Sequence, residues 1–225
     1  MKYVIMCGGK YDIWEKPRHL TKIYGETLIE RTVRLLRHNE VCDIYITTNN
    51  YQVFDYCMDT PTIQPYVNML WTPSNNYVVP RPGVVSKGDW CDCFVLTEYP
   101  NVCYLMGDVV FSAKAIETIV NTPTNDIEFF ASAPPFAPNY SKPYAEPFAF
   151  KVHDNFHLKR AIQGVRELDK QKKFRRPPIA WELWQVIKGT SINMIDYTNY
   201  TVINDFTCDI DEPKDIKKFE GADNG

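Results

Sequence analysis

Two adjacent glycines, one aspartate and one aspartate pair are the residues whose setting in this sequence could do chemistry. Gly8-Gly9 follows the apolar run Tyr3-Val4-Ile5-Met6-Cys7 and leads into a basic stretch. Without a Cβ, glycines there let backbone amides approach a phosphate; an ordinary tight turn is the bland alternative. The spacing is neither G-x-G-x-x-G nor G-x-x-x-x-G-K-[ST], which disfavours dinucleotide and Walker-type sites. Asp108 follows Gly107 at the end of a second apolar run, Val102-Cys103-Tyr104-Leu105-Met106. At a strand's carboxyl end it can hold a hard cation, or simply complement the dipole of the next helix. Asp209 and Asp211 point to one side of an extended segment and repel unless a cation or a solvated face relieves them. Mg²⁺ binds carboxylates together with substrate phosphates and water. Asp108, Asp209 and Asp211 could supply the carboxylates and a nucleotide the phosphates, with Lys10, Lys16, Arg18 and Lys22 neutralising the polyphosphate.

The elements between these residues must carry them to one edge. Tyr3–Cys7 reads as a buried strand because it is continuously apolar. Residues 10–24 show no periodicity and read as a loop. Thr27-Leu28-Ile29-Glu30 opens a helix with a capping box, and Asn39 stops it. Asp43–Thr48 is a second strand, which completes a βαβ unit with a right-handed crossover. Prolines 61, 65, 73, 80 and 82 leave residues 50–100 without a clear pattern. Val102–Met106, Ile127–Ala133, Phe148–Val152 and Tyr200–Asn204 read as further strands. Ser112 and Asp154 cap helices, and Ile179–Lys188 forms another that ends at Gly189. Asp209–Asp211 is extended, and Pro213 suits the first turn of a terminal helix. Alternating strands and helices predict an α/β fold, a three-layer αβα sandwich around a mixed, mostly parallel Rossmann-like sheet. With no linker or repeat, one domain over residues 1–225 is expected. Its ligand site should lie beyond the carboxyl ends of the strands.

Composition narrows the partners. With 25 Lys+Arg against 28 Asp+Glu, the net charge of −3 gives no global basic field for nucleic acid. No apolar run approaches the roughly 20 residues of a membrane span, and the run before Gly8 is too short for a secretory leader. Seven cysteines, with no C-x-x-C pair, argue against a disulfide framework or a zinc cluster and for a reduced, cytoplasmic setting. The oligomeric state is open, a homo-oligomer included. No histidine has a triad or metal setting, which disfavours acyl transfer and hydrolytic zinc chemistry.

Three segments in order resemble a known family. Met6-Cys7-Gly8-Gly9, Pro17-Arg18-His19-Leu20 and Gly25-Glu26-Thr27-Leu28-Ile29-Glu30 look like the opening of the nucleotidyltransferases related to sugar-phosphate nucleotidylyltransferases. Tyr104-Leu105-Met106-Gly107-Asp108 is similar to that family's metal-aspartate strand end. Cys208-Asp209-Ile210-Asp211-Glu212-Pro213-Lys214-Asp215 is similar to its C-terminal D-[IV]-D-T-P-E-D segment. The resemblance implies Mg²⁺-dependent transfer of a nucleoside monophosphate from an NTP to a small phosphorylated acceptor, a sugar phosphate or alcohol phosphate. It implies Gly8 and Gly9 at the phosphates, Asp108 and Asp211 with Asp209 at the metal, and Arg18 in place of the family's catalytic lysine. The chain departs from the family in its phosphate loop, which has no third glycine and no arginine; Lys16, Lys10 or Lys22 could compensate.

On the acceptor side, Trp90 could stack on a ligand, with Asp89 or Asp92 fixing hydroxyls, and Glu146 follows a long Pro-rich loop. Core packing is the alternative for Trp90. The basic run Lys170–Arg176 suits a solvated face, an anionic acceptor or a partner chain. A glycosyltransferase on the same kind of fold would need D-x-D where this chain has Gly107-Asp108-Val109-Val110. A non-catalytic nucleotide-binding or scaffold relative is the remaining alternative.

Overall fold

The computed structural model describes residues 1–9, 13–71, 90–133, 145–194 and 197–219. The chain opens with β1 (Lys2–Met6), a 3-10 turn (Arg18–Leu20) and a small hairpin of β2 (Lys22–Ile23) and β3 (Glu26–Thr27). Helix α1 (Leu28–His38) begins at the expected capping box: Thr27 Oγ1 accepts from Glu30 N–H, and the Glu30 carboxylate accepts from Thr27 N–H. Asn39 ends it. β4 (Ile44–Thr48), α2 (Tyr51–Asp59) and β5 (Val67–Trp71) follow. The sequence pattern did not resolve α2 or β5. Asn50 accepts from Gln52 N–H to start α2, and the prolines fall outside both elements.

The second half holds β6 (Val102–Met106), β7 (Val109–Val110), α3 (Ala113–Asn121), β8 (Ile127–Ser132) and β9 (Pro147–Val152). It continues with α4 (Asn155–Lys170), α5 (Ala180–Lys188), β10 (Thr201–Ile203) and β11 (Cys208–Asp209). Ser112, Asp154 and Gly189 stand at the expected helix ends. The terminal helix is a 3-10 turn over Pro213–Phe219. Among the described residues, seven strands form one sheet in the order β10-β8-β9-β6-β1-β4-β5, and of these β9 alone runs antiparallel to its neighbours. The fold is thus α/β with a mostly parallel sheet, as expected.

Side-chain alternation along β9 identifies the helix layers. Phe150 stacks on Phe129 of β8, and Phe129 meets Trp181 and Trp184 of α5, so α5 and its neighbour α4 cover that face. The next residue, Lys151, points to the other face. There its ammonium donates to the carbonyls of Ile119, Val120 and Thr122 at the end of α3, which packs on α1. A buried cation on the last carbonyls of a helix satisfies groups that have no partner within it. Lys151→Met is expected to cost about 2 kcal/mol. A thermal melt should show a fall of about 4–8 °C, and an unchanged Tm would remove Lys151 from the list of supports.

Candidate functional site

Strands β1, β4 and β6 are parallel and in register, so they end together. Cys7 N–H donates to the Thr47 carbonyl at 2.8 Å, and Thr48 Oγ1 donates to the Cys7 carbonyl at 2.9 Å. Gly107 N–H donates to the Met6 carbonyl at 3.1 Å. This approach admits only glycine. A Cβ on Gly107 would lie 2.5 Å from Met6 O and 2.7 Å from Cys7 Sγ, closer than any real contact. Asp108 follows, and the chain turns back into β7. β11 pairs antiparallel with β7, aligning Asp209 with Val109, and Ile210 N–H donates to the Asp108 carbonyl at 2.9 Å. That two-strand ladder carries Asp209 and Asp211 from the far end of the sequence to the side of Asp108.

Arg18 lies between the carboxylates. Its Nη2 is 2.5 Å from Asp108 Oδ2, and its Nη1 is 3.2 Å from Asp211 Oδ1. Pro17, which is buried, and the 3-10 turn aim the guanidinium there. His19, 1% exposed, is held well below its usual pKa by burial and by the adjacent Arg18, so it is neutral. Trp14 Nε1 donates to the Asp211 carbonyl at 3.0 Å.

Asp215 fixes the Asp211 backbone. Its Oδ2 accepts from the Asp211 and Glu212 amides at 3.0 and 2.9 Å, and its Oδ1 pairs with the Lys218 ammonium at 3.0 Å. Burial alone would raise its pKa, but the two amides and Lys218 outweigh burial and hold it below the ordinary value. A depressed folded pKa contributes stability above the unfolded value of about 3.9, lost as pH falls through the folded pKa. Asp215→Asn should therefore lower Tm at pH 7 and converge on wild type as the pH drops from 5 toward 2. A gap of constant size across that range would refute the assignment.

A cleft of about 250 Å³ gathers Arg18, Asp108, Asp209 and Asp211 with Trp90 and Glu146. Trp181 lines it too, and its indole N–H donates to the Ala145 carbonyl at 2.7 Å, tying α5 to the start of β9 beside Glu146. Glu146 is 3% exposed, with its backbone N–H on Ser132 Oγ. Trp90 meets Phe94 edge-on at 5.4 Å. Six of the expected site residues therefore share one cleft. Gly8, Gly9, Lys16 and Lys22 do not line it. Gly8 sits on the same strand-end rim, where an added Cβ would be 3.6 Å from Asn49 Oδ1, and Gly9 has φ +123°. Lys16 is exposed, and so is Lys22 on the β2 edge. Lys10 and Asp89 lie outside the described residues. Asp92 faces a different groove, where Arg166 of α4 donates to it at 2.6 Å.

Two residues that shape the rim, Asn49 and Asp215, have no role assigned by the sequence alone. Asn49 offers no spacing signal, because only the parallel register brings it to Gly8. Asp215 could have been found: a carboxylate in the first turn after Pro213 is a capping pattern.

Asp108 and Asp211 present hard oxygens to a single cationic group, the donor chemistry that suits Mg²⁺ with one or two carboxylates and substrate phosphates. Among the described residues no three His, Cys, Asp or Glu side chains gather as a self-sufficient metal cluster. The two facts agree if part of the coordination comes from substrate. None of the seven cysteines is in a disulfide, and among the described residues no helix is long and apolar enough to cross a membrane.

No protein-family model matches the sequence, and no curated protein matches it. Solved structures do match. The CTP:phosphocholine cytidylyltransferase LicC of Streptococcus pneumoniae superposes with a TM-score of 0.54 at 16% identity, over 97% of both chains. The inositol-1-phosphate CTP transferase of T. maritima gives 0.54 at 13%, over 99% of this chain and 97% of that one. HddC of Yersinia pseudotuberculosis, complexed with GMP-PN, gives 0.53 at 11%, over 96% of both. Such low identity speaks for the fold alone, but the likeness spans nearly the whole of each chain. The chain has the fold of the nucleotidyltransferases, the one its three sequence segments resemble.

Proposed function

We propose that residues 1–225 form a Mg²⁺-dependent nucleotidyltransferase domain that moves a nucleoside monophosphate from an NTP to a small phosphorylated acceptor. The observation that carries this reading is Arg18 held between Asp108 and Asp211, three residues from three distant segments on one rim. Structures of the same fold are described as acting on phosphocholine and inositol 1-phosphate, which favours a sugar phosphate or alcohol phosphate as acceptor.

In the reaction, an acceptor phosphate oxygen forms a bond to the α-phosphorus. The bond from that phosphorus to the bridging oxygen of the β-phosphate breaks, and pyrophosphate leaves with the electron pair. The protein's task is to position both substrates and neutralise their charge. Asp108 and Asp211, with Asp209 beside them, would hold Mg²⁺, which when bound neutralises phosphate oxygens and withdraws charge from the reacting centre. Arg18 is the counter-charge of the same carboxylates. It would turn toward the phosphates of the nucleotide and bind them in its planar fork. Gly8 and Gly9 would offer backbone amides on the β1 side of the rim, with Lys10, Lys16 and Lys22 adding positive charge around the polyphosphate. Trp90 and Glu146 would contact the acceptor.

The test is pyrophosphate release from each of the four NTPs with Mg²⁺, against a panel of phosphocholine, inositol 1-phosphate, glucose 1-phosphate and glycerol 3-phosphate. Turnover with one pair is the expected result. No turnover with any pair, together with no NTP binding by calorimetry, would sink the proposal.

A further inference from the structure

Among the described residues, Arg176 is the second cation that lines the cleft. Among the described residues, six charged side chains line the cleft: Arg18, Asp108, Asp209, Asp211, Glu146 and Arg176. Arg18 pairs with Asp108 and Asp211. Arg176 comes from the basic run between α4 and α5. Its Nε and Nη2 donate to Glu182 at 2.7 and 3.4 Å. Glu182 is 5% exposed and accepts the Ile179 N–H at 3.0 Å, which anchors it to the first turn of α5. Pro177-Pro178 stiffens the chain between the two.

A guanidinium carries five N–H donors in a planar fork. The side-on pair with Glu182 uses Nε and Nη2, and Nη1 makes no hydrogen bond to a described residue. The pair therefore fixes the plane of the guanidinium and leaves an edge with donors for a second anion. Arginine can hold two oxyanions on two edges in this way, whereas an ammonium is a point charge.

We infer that Arg176 is the anchor for the phosphate group of the acceptor, and that Glu182 is a positioning residue that orients it. The identity of the anion rests on the proposed nucleotidyl transfer; the existence of the anion site does not. Such an anchor would hold the acceptor phosphate in the same small cleft as Asp108 and Asp211.

The experiment is calorimetric titration of wild type, Arg176→Ala, Arg176→Lys and Glu182→Gln with inorganic phosphate, and separately with each NTP in Mg²⁺. Arg176→Ala should weaken phosphate binding by about 10-fold or more. Arg176→Lys should lie between it and wild type, because charge survives and the fork does not. Glu182→Gln should weaken phosphate binding in the same direction, while NTP affinity stays at the wild-type value in all three. Arg176 is 44% exposed, so its variants should fold, and the lysine variant keeps the test open if the alanine variant does not. Phosphate affinity unchanged in Arg176→Ala, or absent in wild type, overturns the inference. A lower Tm for Glu182→Gln with wild-type phosphate affinity overturns the positioning role. If phosphate binding depends on Arg176 but no NTP binds and no pyrophosphate is released, the anion site stands and the nucleotidyltransferase reading falls.

Discussion

Asp108→Asn is expected to lower pyrophosphate release by on the order of 10³-fold while the chain stays folded. The size follows from what the side chain does. Asp108 contributes one of the two carboxylates that meet at Arg18, and an amide there supplies neither the charge nor the second oxygen a hard cation needs. Folding should survive because the structural contact at this residue is made by the backbone. The Asp108 carbonyl accepts from Ile210 N–H, and that bond keeps β11 against β7 whatever the side chain. The measurement is kcat for the best substrate pair, with circular dichroism and a thermal melt alongside. The same variant separates an enzyme from a scaffold relative, whose partner binding should hardly change. Near-wild-type turnover in Asp108→Asn would remove the metal-aspartate role.

Gly107→Ala is expected to destabilise the protein by about 3 kcal/mol or more and to reduce turnover as well. The obstacle is steric. The new methyl would meet the Met6 carbonyl oxygen at 2.5 Å, the Met6 carbonyl carbon at 2.9 Å and Cys7 Sγ at 2.7 Å. Two of those atoms are backbone of the central strand β1, bonded through Cys7 to β4, so they cannot swing aside as a flexible side chain would. Relief requires the end of β6 to move away from β1, breaking the Gly107 N–H bond to Met6 and displacing Asp108. Chemical denaturation gives the stability change. At temperatures where the variant is still folded, turnover reports the displacement. A variant as stable and as active as wild type would mean the strand ends are softer than this packing allows. Gly164 offers the contrast: there a Cβ would meet only the tip of Val186 at 3.2 Å, and alanine should be far better tolerated.

Much of the fold was legible in the sequence because the signals are local. The capping box at Thr27 and Glu30, the helix starts at Ser112 and Asp154, and the stop at Gly189 each depend on a few neighbouring residues. The buried strands declare themselves as continuous apolar runs, since helices cover both of their faces. β5 and α2 were not legible. β5 is an edge strand with mixed burial, and α2 buries only Val53 and Cys57, so neither carries a strong period.

The sequence by itself determined the alternating α/β order, the helix ends, the residue types able to bind a cation and phosphates, and the order of the segments that resemble a nucleotidyltransferase. Tertiary structure decided which of those residues meet. Nothing in the spacing places Arg18 between Asp108 and Asp211, selects Arg176 from its basic run, or leaves Lys16 and Lys22 outside the cleft. The reason is physical. Helix ends and strand character arise from interactions within a few residues. A site on the carboxyl rim is assembled by strand register and by the β7–β11 ladder, whose hydrogen bonds join opposite ends of the chain.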